Sequence, residues 1–216
     1  DHRDLHKEYR RQRQMCIRDR KLDPIQEKLA SAAQLLRQNK IEEAEKICRQ
    51  ALKEQPDDVN GLRLLASIAS KLEQQDDAIV LLERAVELKP KFAGAWSDLA
   101  EAYSDTDEFG KALDADQRVI KLQPDLPFGF MVRGGILTKS GDHEGSIAAY
   151  EEALKIEPDH LGSNMGIGNV LKTVGRFDES VDAYKQCIKT QPLFAEAYWS
   201  CLLYTSPSPR DGLLSR

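Results

Sequence analysis

Between Lys21 and Ser200, apolar residues recur three and four positions apart in paired stretches, the spacing that lines one face of a helix. The pairs themselves repeat. Pro56, Pro90, Pro124, Pro158 and Pro192 stand 34 residues apart, and other columns keep the same step. Ala32, Ala66, Ala100, Gly134 and Gly168 are all small, as are Ala44, Ala78, Ala112, Ser146 and Ser180. Leu52, Val86, Ile120, Leu154 and Ile188 are all aliphatic, with Ala51, Ala85, Val119, Ala153 and Cys187 beside them. The pattern predicts two amphipathic helices per unit. The small columns mark where their axes come close, since a larger side chain there would push them apart. Asn39, Glu73, Asp107, Gly141 and Gly175 fall between the two helices, where glycine can take the left-handed conformation that ends a helix. The periodic proline then stops the second helix.

These columns resemble the tetratricopeptide repeat (TPR). The match is fullest in 93–126, where Trp96, Leu99, Ala100, Tyr103, Ala112 and Pro124 fill the family's pattern. The resemblance implies an all-α, right-handed superhelical solenoid of helix–turn–helix repeats at 25–58, 59–92, 93–126, 127–160 and 161–194, with a partial sixth at 195–200. Trp96, Phe130 and Tyr198 follow the aromatic column of the first helices and are expected in the core.

Two residues break the columns. Asp116 stands where the other repeats have Cys48, Leu82, Tyr150 and Tyr184, and Arg133 stands where they have Leu65, Leu99 and Ile167. A lone charge in a helix seam would cost several kcal/mol. The two misfits, on neighbouring helices, are therefore expected to pair.

The ends do not share the repeat. Residues 1–20 hold seven basic and four acidic side chains without helical period, and 201–216 is a Ser/Pro segment that interrupts a helix pattern. Both resemble translated sequencing-library adapters. Met15–Arg20 and Cys201–Ser206 can be encoded on opposite strands by one shared string, GTCTCTTATACACAT. The repeat array 21–200 is therefore expected to be a cut-out insert between two non-native segments, 1–20 and 201–216. The whole chain carries 31 Lys plus Arg against 36 Asp plus Glu. Residues 21–200 alone carry 22 against 31, a net charge of −9, so the array is more acidic than the chain's average of −5. That balance argues against a globally basic nucleic-acid binder, and no long apolar run marks a membrane span. The absence of a secretory pattern leads to the expectation of a cytoplasmic protein.

Motifs for chemistry are missing. Gly166 and Gly168 begin a run like a nucleotide-binding fingerprint, but Leu171 stands where its last glycine is needed. In Gly134–Gly135, one glycine belongs to the small column. No P-loop, G-x-S-x-G or H-E-x-x-H occurs. His143 and His160 are too scattered for a metal site, and Cys48 and Cys187 sit in core columns as reduced thiols. No catalytic residue, cofactor or metal is expected within 21–200.

In the TPR family the first helices line a concave groove that holds peptides. Carried over by repeat register, the groove positions here are Arg37, Asn60, Arg63, Ser67, Lys71, Glu101, Asp105, Phe128, Met131, Lys139, Asn169 and Lys172. They hold five cations and two anions, which points to an anionic peptide or protein partner. The family's carboxylate clamp is not implied, because Leu29 and Ala33 occupy its Lys and Asn positions in the first repeat. The resemblance thus implies a protein-interaction scaffold that does no chemistry. A second resemblance, carried by Asn169–Arg176 and Gln191–Ser200, is to the last repeats of bacterial TPR–sulfotransferase fusions. It implies a PAPS-dependent catalytic domain outside this chain, with PAPS as that domain's cofactor.

Overall fold

In the computed structural model, residues 23–193 are described; the terminal segments, the partial repeat 195–200 and Tyr198 lie outside them. The described residues form ten α-helices and no strand. They are α1 Pro24–Arg37, α2 Ile41–Glu54, α3 Val59–Lys71, α4 Gln75–Leu88, α5 Ala93–Asp105, α6 Phe109–Leu122, α7 Pro127–Ser140, α8 His143–Ile156, α9 Leu161–Thr173 and α10 Phe177–Thr190. Odd-numbered helices are the first and even-numbered helices the second of each repeat. The architecture is an all-α helical-repeat solenoid.

Local chemistry sets the helix ends. Asp23, Asp58 and Asp142 cap α1, α3 and α8 by accepting from the backbone N–H groups of Ile25 (3.2 Å), Gly61 (2.7 Å) and Gly145 (3.0 Å). Pro24 and Pro127 occupy first-turn positions, where a missing N–H breaks no bond. Each second helix stops two residues before its periodic proline, as the steric restriction on the residue preceding proline requires. The inter-helix column is left-handed in all five repeats: φ is +61° at Asn39, +60° at Glu73, +60° at Asp107, +85° at Gly141 and +84° at Gly175. The turn demands this conformation whatever residue supplies it, so the three side-chain-bearing members carry backbone strain that the two glycines avoid.

The chain divides into two units, 23–88 (α1–α4) and 89–193 (α5–α10). In the first unit, Ile25, Leu29, Ala32, Ala44, Cys48, Ala51, Leu65 and Ile68 form one buried cluster. In the second, Ile147, Tyr150, Ile167, Val170 and Leu171 form a cluster, and Met165, Tyr184 and Cys187 another. The small columns act as read from the sequence. A Cβ added to Gly134 would lie 2.7 Å from the Tyr150 ring, and one added to Gly168 would lie 2.6 Å from Tyr184. Ser146 and Ser180 complete these seams by donating to the carbonyls of Gly134 and Gly168, both at 2.8 Å.

Asp116 and Arg133 do pair. Arg133 Nε donates to Asp116 Oδ2 at 2.8 Å, and its Nη2 donates to Gln117 Oε1 at 2.9 Å. Asp116 is fully buried, with Oδ1 lacking a hydrogen-bond partner, whereas Arg133 stays 26% exposed. Burial pushes the Asp116 carboxyl up from 3.8 to about 6, opposed by the charge and hydrogen bond of Arg133. The side chain is therefore ionised at neutral pH and depends on its partner.

Candidate functional site

Every groove position read from the sequence lies on an odd-numbered helix and is exposed or half-buried. In the first unit, Asn60, Arg63, Ser67 and Lys71 follow the spacing of one face of α3, with Arg37 at the end of α1. In the second unit, Glu101 and Asp105 stand on α5, Phe128, Met131 and Lys139 on α7, and Asn169 and Lys172 on α9.

Four of these residues meet around one cavity. Glu101, Phe128, Met131 and Lys139 line a hollow of about 340 Å³ together with Ser97, Ser104, Val132, Gly135, Ile136, Tyr150 and Gly162. The lining is mainly apolar, and Phe128 stays 41% exposed beside it. Asn169 and Lys172 do not line it; Asn169 instead accepts from the Tyr184 hydroxyl at 2.8 Å. A second hollow, of about 220 Å³ in the first unit, is walled by Glu45 and Arg49 of α2, the end of α3 and Asp77, Val80 and Leu81 of α4. None of the predicted groove residues borders it.

The other seven lining residues were not among the expected groove positions, and two of them, Gly135 and Ser104, shape the hollow most. Gly135 occupies the register position of Ser67, Glu101 and Asn169, so its column marked it as groove-facing. It was accounted for only as the neighbour of the small-column Gly134. The structure separates the two: a Cβ on Gly135 would meet nothing nearer than the Tyr150 hydroxyl at 3.9 Å. Packing therefore does not require glycine at 135, although a mid-helix glycine costs about 0.5–1 kcal/mol relative to alanine. Ser104 is 3% exposed, and its Oγ has no hydrogen-bond partner. Thr138 and Lys172 share its column, and nothing in those residue types signals an unpartnered hydroxyl.

The charge is divided unevenly. Arg37, Arg63 and Lys71, three of the five predicted cations, belong to the first unit, which contributes no predicted anion. In the second unit Lys139 and Lys172 are matched by Glu101 and Asp105. Lys139 is also bonded to Asp105. Glu101 is exposed at the cavity mouth, yet its carboxyl is held above the usual range. Local desolvation is the main cause, Asp105 and Asp98 add to it, and Lys139 opposes it. Of the charged residues that line the cavity, Lys139 is paired with Asp105 and Glu101 is the anion.

Comparison with known proteins gives the family. One family model, described as tetratricopeptide repeat, matches residues 29–91 and 63–127; a second of the same description matches 130–160 and 161–192. The chain belongs to the tetratricopeptide-repeat family. Protein O-mannosyl-transferase TMTC1 of Mus musculus is 31% identical to this TPR chain over 120 residues, covering 54% of the chain and 13% of that protein. The TPR chain thus spans a small part of that relative's length. Among solved structures, the thermophilic TPR protein TTC0263 of Thermus thermophilus superposes with a TM-score of 0.72 at 23% identity, covering 83% of this chain and 99% of that one. YrrB, a TPR protein with an unusual peptide-binding site, superposes with a TM-score of 0.55 at 16% identity, covering 87% of this chain and 96% of its own. At these identities the two structures show the shared fold.

The other candidate side chains are part of the TPR framework. Cys48 and Cys187 are buried free thiols, and burial pushes each up to about 11. His160 caps α9, its Nδ1 lying 3.3 Å from the Ser163 N–H. Among the described residues no cluster of three His, Cys, Asp or Glu is placed to hold a metal ion, and no helix is long and apolar enough to cross a membrane. The expected core aromatics Trp96 and Phe130 are only half-buried. The Trp96 indole N–H donates to the Pro90 carbonyl at 2.8 Å, at the edge of the repeat.

Proposed function

We propose that this TPR chain is a protein-interaction scaffold that takes a peptide or partner segment on the exposed faces of its first helices. The observation that supports it is the cavity of the second unit, where residues from α5, α7 and α9 surround an apolar hollow with a polar rim. Taken by itself, the α1–α3 face, with Arg37, Arg63 and Lys71, suits an acidic segment, an attraction that salt would weaken. The reading needs no cofactor or metal and no step of chemistry in this chain. It sets the protein in a reducing compartment such as the cytoplasm, in keeping with the free thiols of Cys48 and Cys187. The sulfotransferase-fusion reading is not favoured by the relatives found.

The test is selection from a displayed peptide library on the whole chain, followed by titration of the enriched peptides. Met131→Asp and Phe128→Asp should each weaken binding roughly tenfold, whereas Val80→Asp, on α4, should leave it unchanged. Selected peptides that bind all three variants like the unsubstituted chain would place recognition elsewhere.

A further inference from the structure

The cavity between α5, α7 and α9 carries more information than a general interaction surface. Gly135 keeps it open although the fold would admit a side chain there. Ser104 presents a buried hydroxyl with no partner on its wall. The floor is apolar, with Met131, Ile136 and the Tyr150 ring. At the mouth, Glu101 and Lys139 line the cavity, and Lys139 is already bonded to Asp105, one turn along α5 from Glu101. An apolar floor, a waiting hydroxyl and a surplus of negative charge define an occupant.

We infer that the cavity seats the apolar side chain of an extended peptide whose neighbouring residues are Lys or Arg. The apolar side chain fills the space left at Gly135 and packs on Met131. The peptide backbone satisfies the Ser104 hydroxyl, and the cation pairs with Glu101. In an extended chain, residues two apart point to the same side, so cations two positions from the anchor reach the acidic mouth. This inference rests on the interaction-scaffold reading and gives it a polarity: the second unit prefers a basic segment, in contrast to the first.

The test uses the full chain, isotope-labelled for amide NMR, and three capped peptides with cores RSLSR, ESLSE and RSASR. The RSLSR peptide is expected to shift the amides of Ser104 and Gly135 saturably. Replacing its Leu by Ala should weaken binding about tenfold, the loss expected from one buried aliphatic side chain. Replacing its Arg residues by Glu should weaken it roughly threefold, as for a solvent-exposed ion pair. Gly135→Leu should abolish the shifts without lowering Tm, and Phe128→Ala, at an exposed position, should weaken them without disturbing the fold. Glu101→Gln should remove the preference for Arg over Glu while binding persists. The inference is overturned if ESLSE binds as tightly as RSLSR, if Gly135→Leu binds normally, or if none of the peptides moves these amides. ESLSE binding at the same amides as tightly as RSLSR, or more so, would overturn the inference and leave the scaffold reading standing. Silence at these amides alongside normal library selection would likewise overturn the inference while the scaffold reading stands.

Discussion

The repeats 93–126 and 127–160 meet one packing requirement with opposite side chains. In α7–α8 the first helix offers Gly134, the second offers Ser146, and the Tyr150 ring lies against the glycine. In α5–α6 the corresponding residues are Ala100, Ala112 and Asp116. There the ring's place is taken by a small carboxylate and by the arm of Arg133, reaching back from α7. One seam is closed by an aromatic ring over a missing Cβ, the other by a buried ion pair. The first depends on shape and tolerates no added carbon. The second depends on charge balance and tolerates no missing partner.

Removing the partner should break the second seam most severely. Arg133→Leu removes the group that opposes the upward push of burial and leaves the enclosed Asp116 carboxyl without its partner, and unfolding in urea should show a loss of about 3–5 kcal/mol. The double variant Asp116→Leu/Arg133→Leu restores the residues that other repeats have in these columns, Leu82 and Leu65. It should recover stability to within about 1 kcal/mol of the original chain or surpass it, because a buried pair is often no better than well-packed apolar groups. A double variant as unstable as the single one would show that the seam's shape, and not its charge, sets the cost.

The same seam should respond to pH. The folded state holds the Asp116 proton more tightly than the unfolded chain, so this site's contribution to stability is complete below pH 3.8 and is lost as pH rises to about 6. Urea midpoints measured across that window should fall with rising pH relative to those of Asp116→Asn. Parallel curves for the two proteins would mean that Arg133 cancels the effect of burial.

The shape-dependent seam should yield to one carbon. Gly134→Ala puts a methyl group 2.7 Å from the Tyr150 ring, and thermal unfolding should register a loss of about 1–3 kcal/mol despite alanine's better helix propensity. Gly135→Ala, one position along, meets no such ring and should gain about 0.5–1 kcal/mol. Two adjacent glycines would then move stability in opposite directions.

That contrast also marks what the sequence could and could not say. A period of 34 made the helices, their proline stops and the left-handed turn column legible, because each is a local requirement repeated five times. The Asp116–Arg133 pair was legible as a double departure from two columns. The hollow at Gly135 was not, because an open space is defined by what three helices fail to fill, and the adjacent glycine already had an explanation. Nor was the split of the groove charge, since register places residues on a face without telling which unit that face belongs to. The half-burial of Trp96 and Phe130 was missed for a related reason: a column gives the side of the helix and not how far the neighbour covers it.

The turn column offers the finest test of two chemistries at one backbone position. Asn39, Glu73 and Asp107 hold the left-handed conformation against their own preference, and Gly141 and Gly175 hold it freely. Glutamate is the least suited of the three, because asparagine and aspartate tolerate this region better through short polar side chains that bond locally. Glu73→Gly should therefore raise stability by about 1 kcal/mol, and Gly175→Glu should lower it by a similar amount. Glycine also widens the unfolded ensemble, which trims the gain at Glu73. Equal unfolding midpoints for Glu73→Gly and the unsubstituted chain would mean that this entropic term offsets the whole strain, so that the turn tolerates either residue.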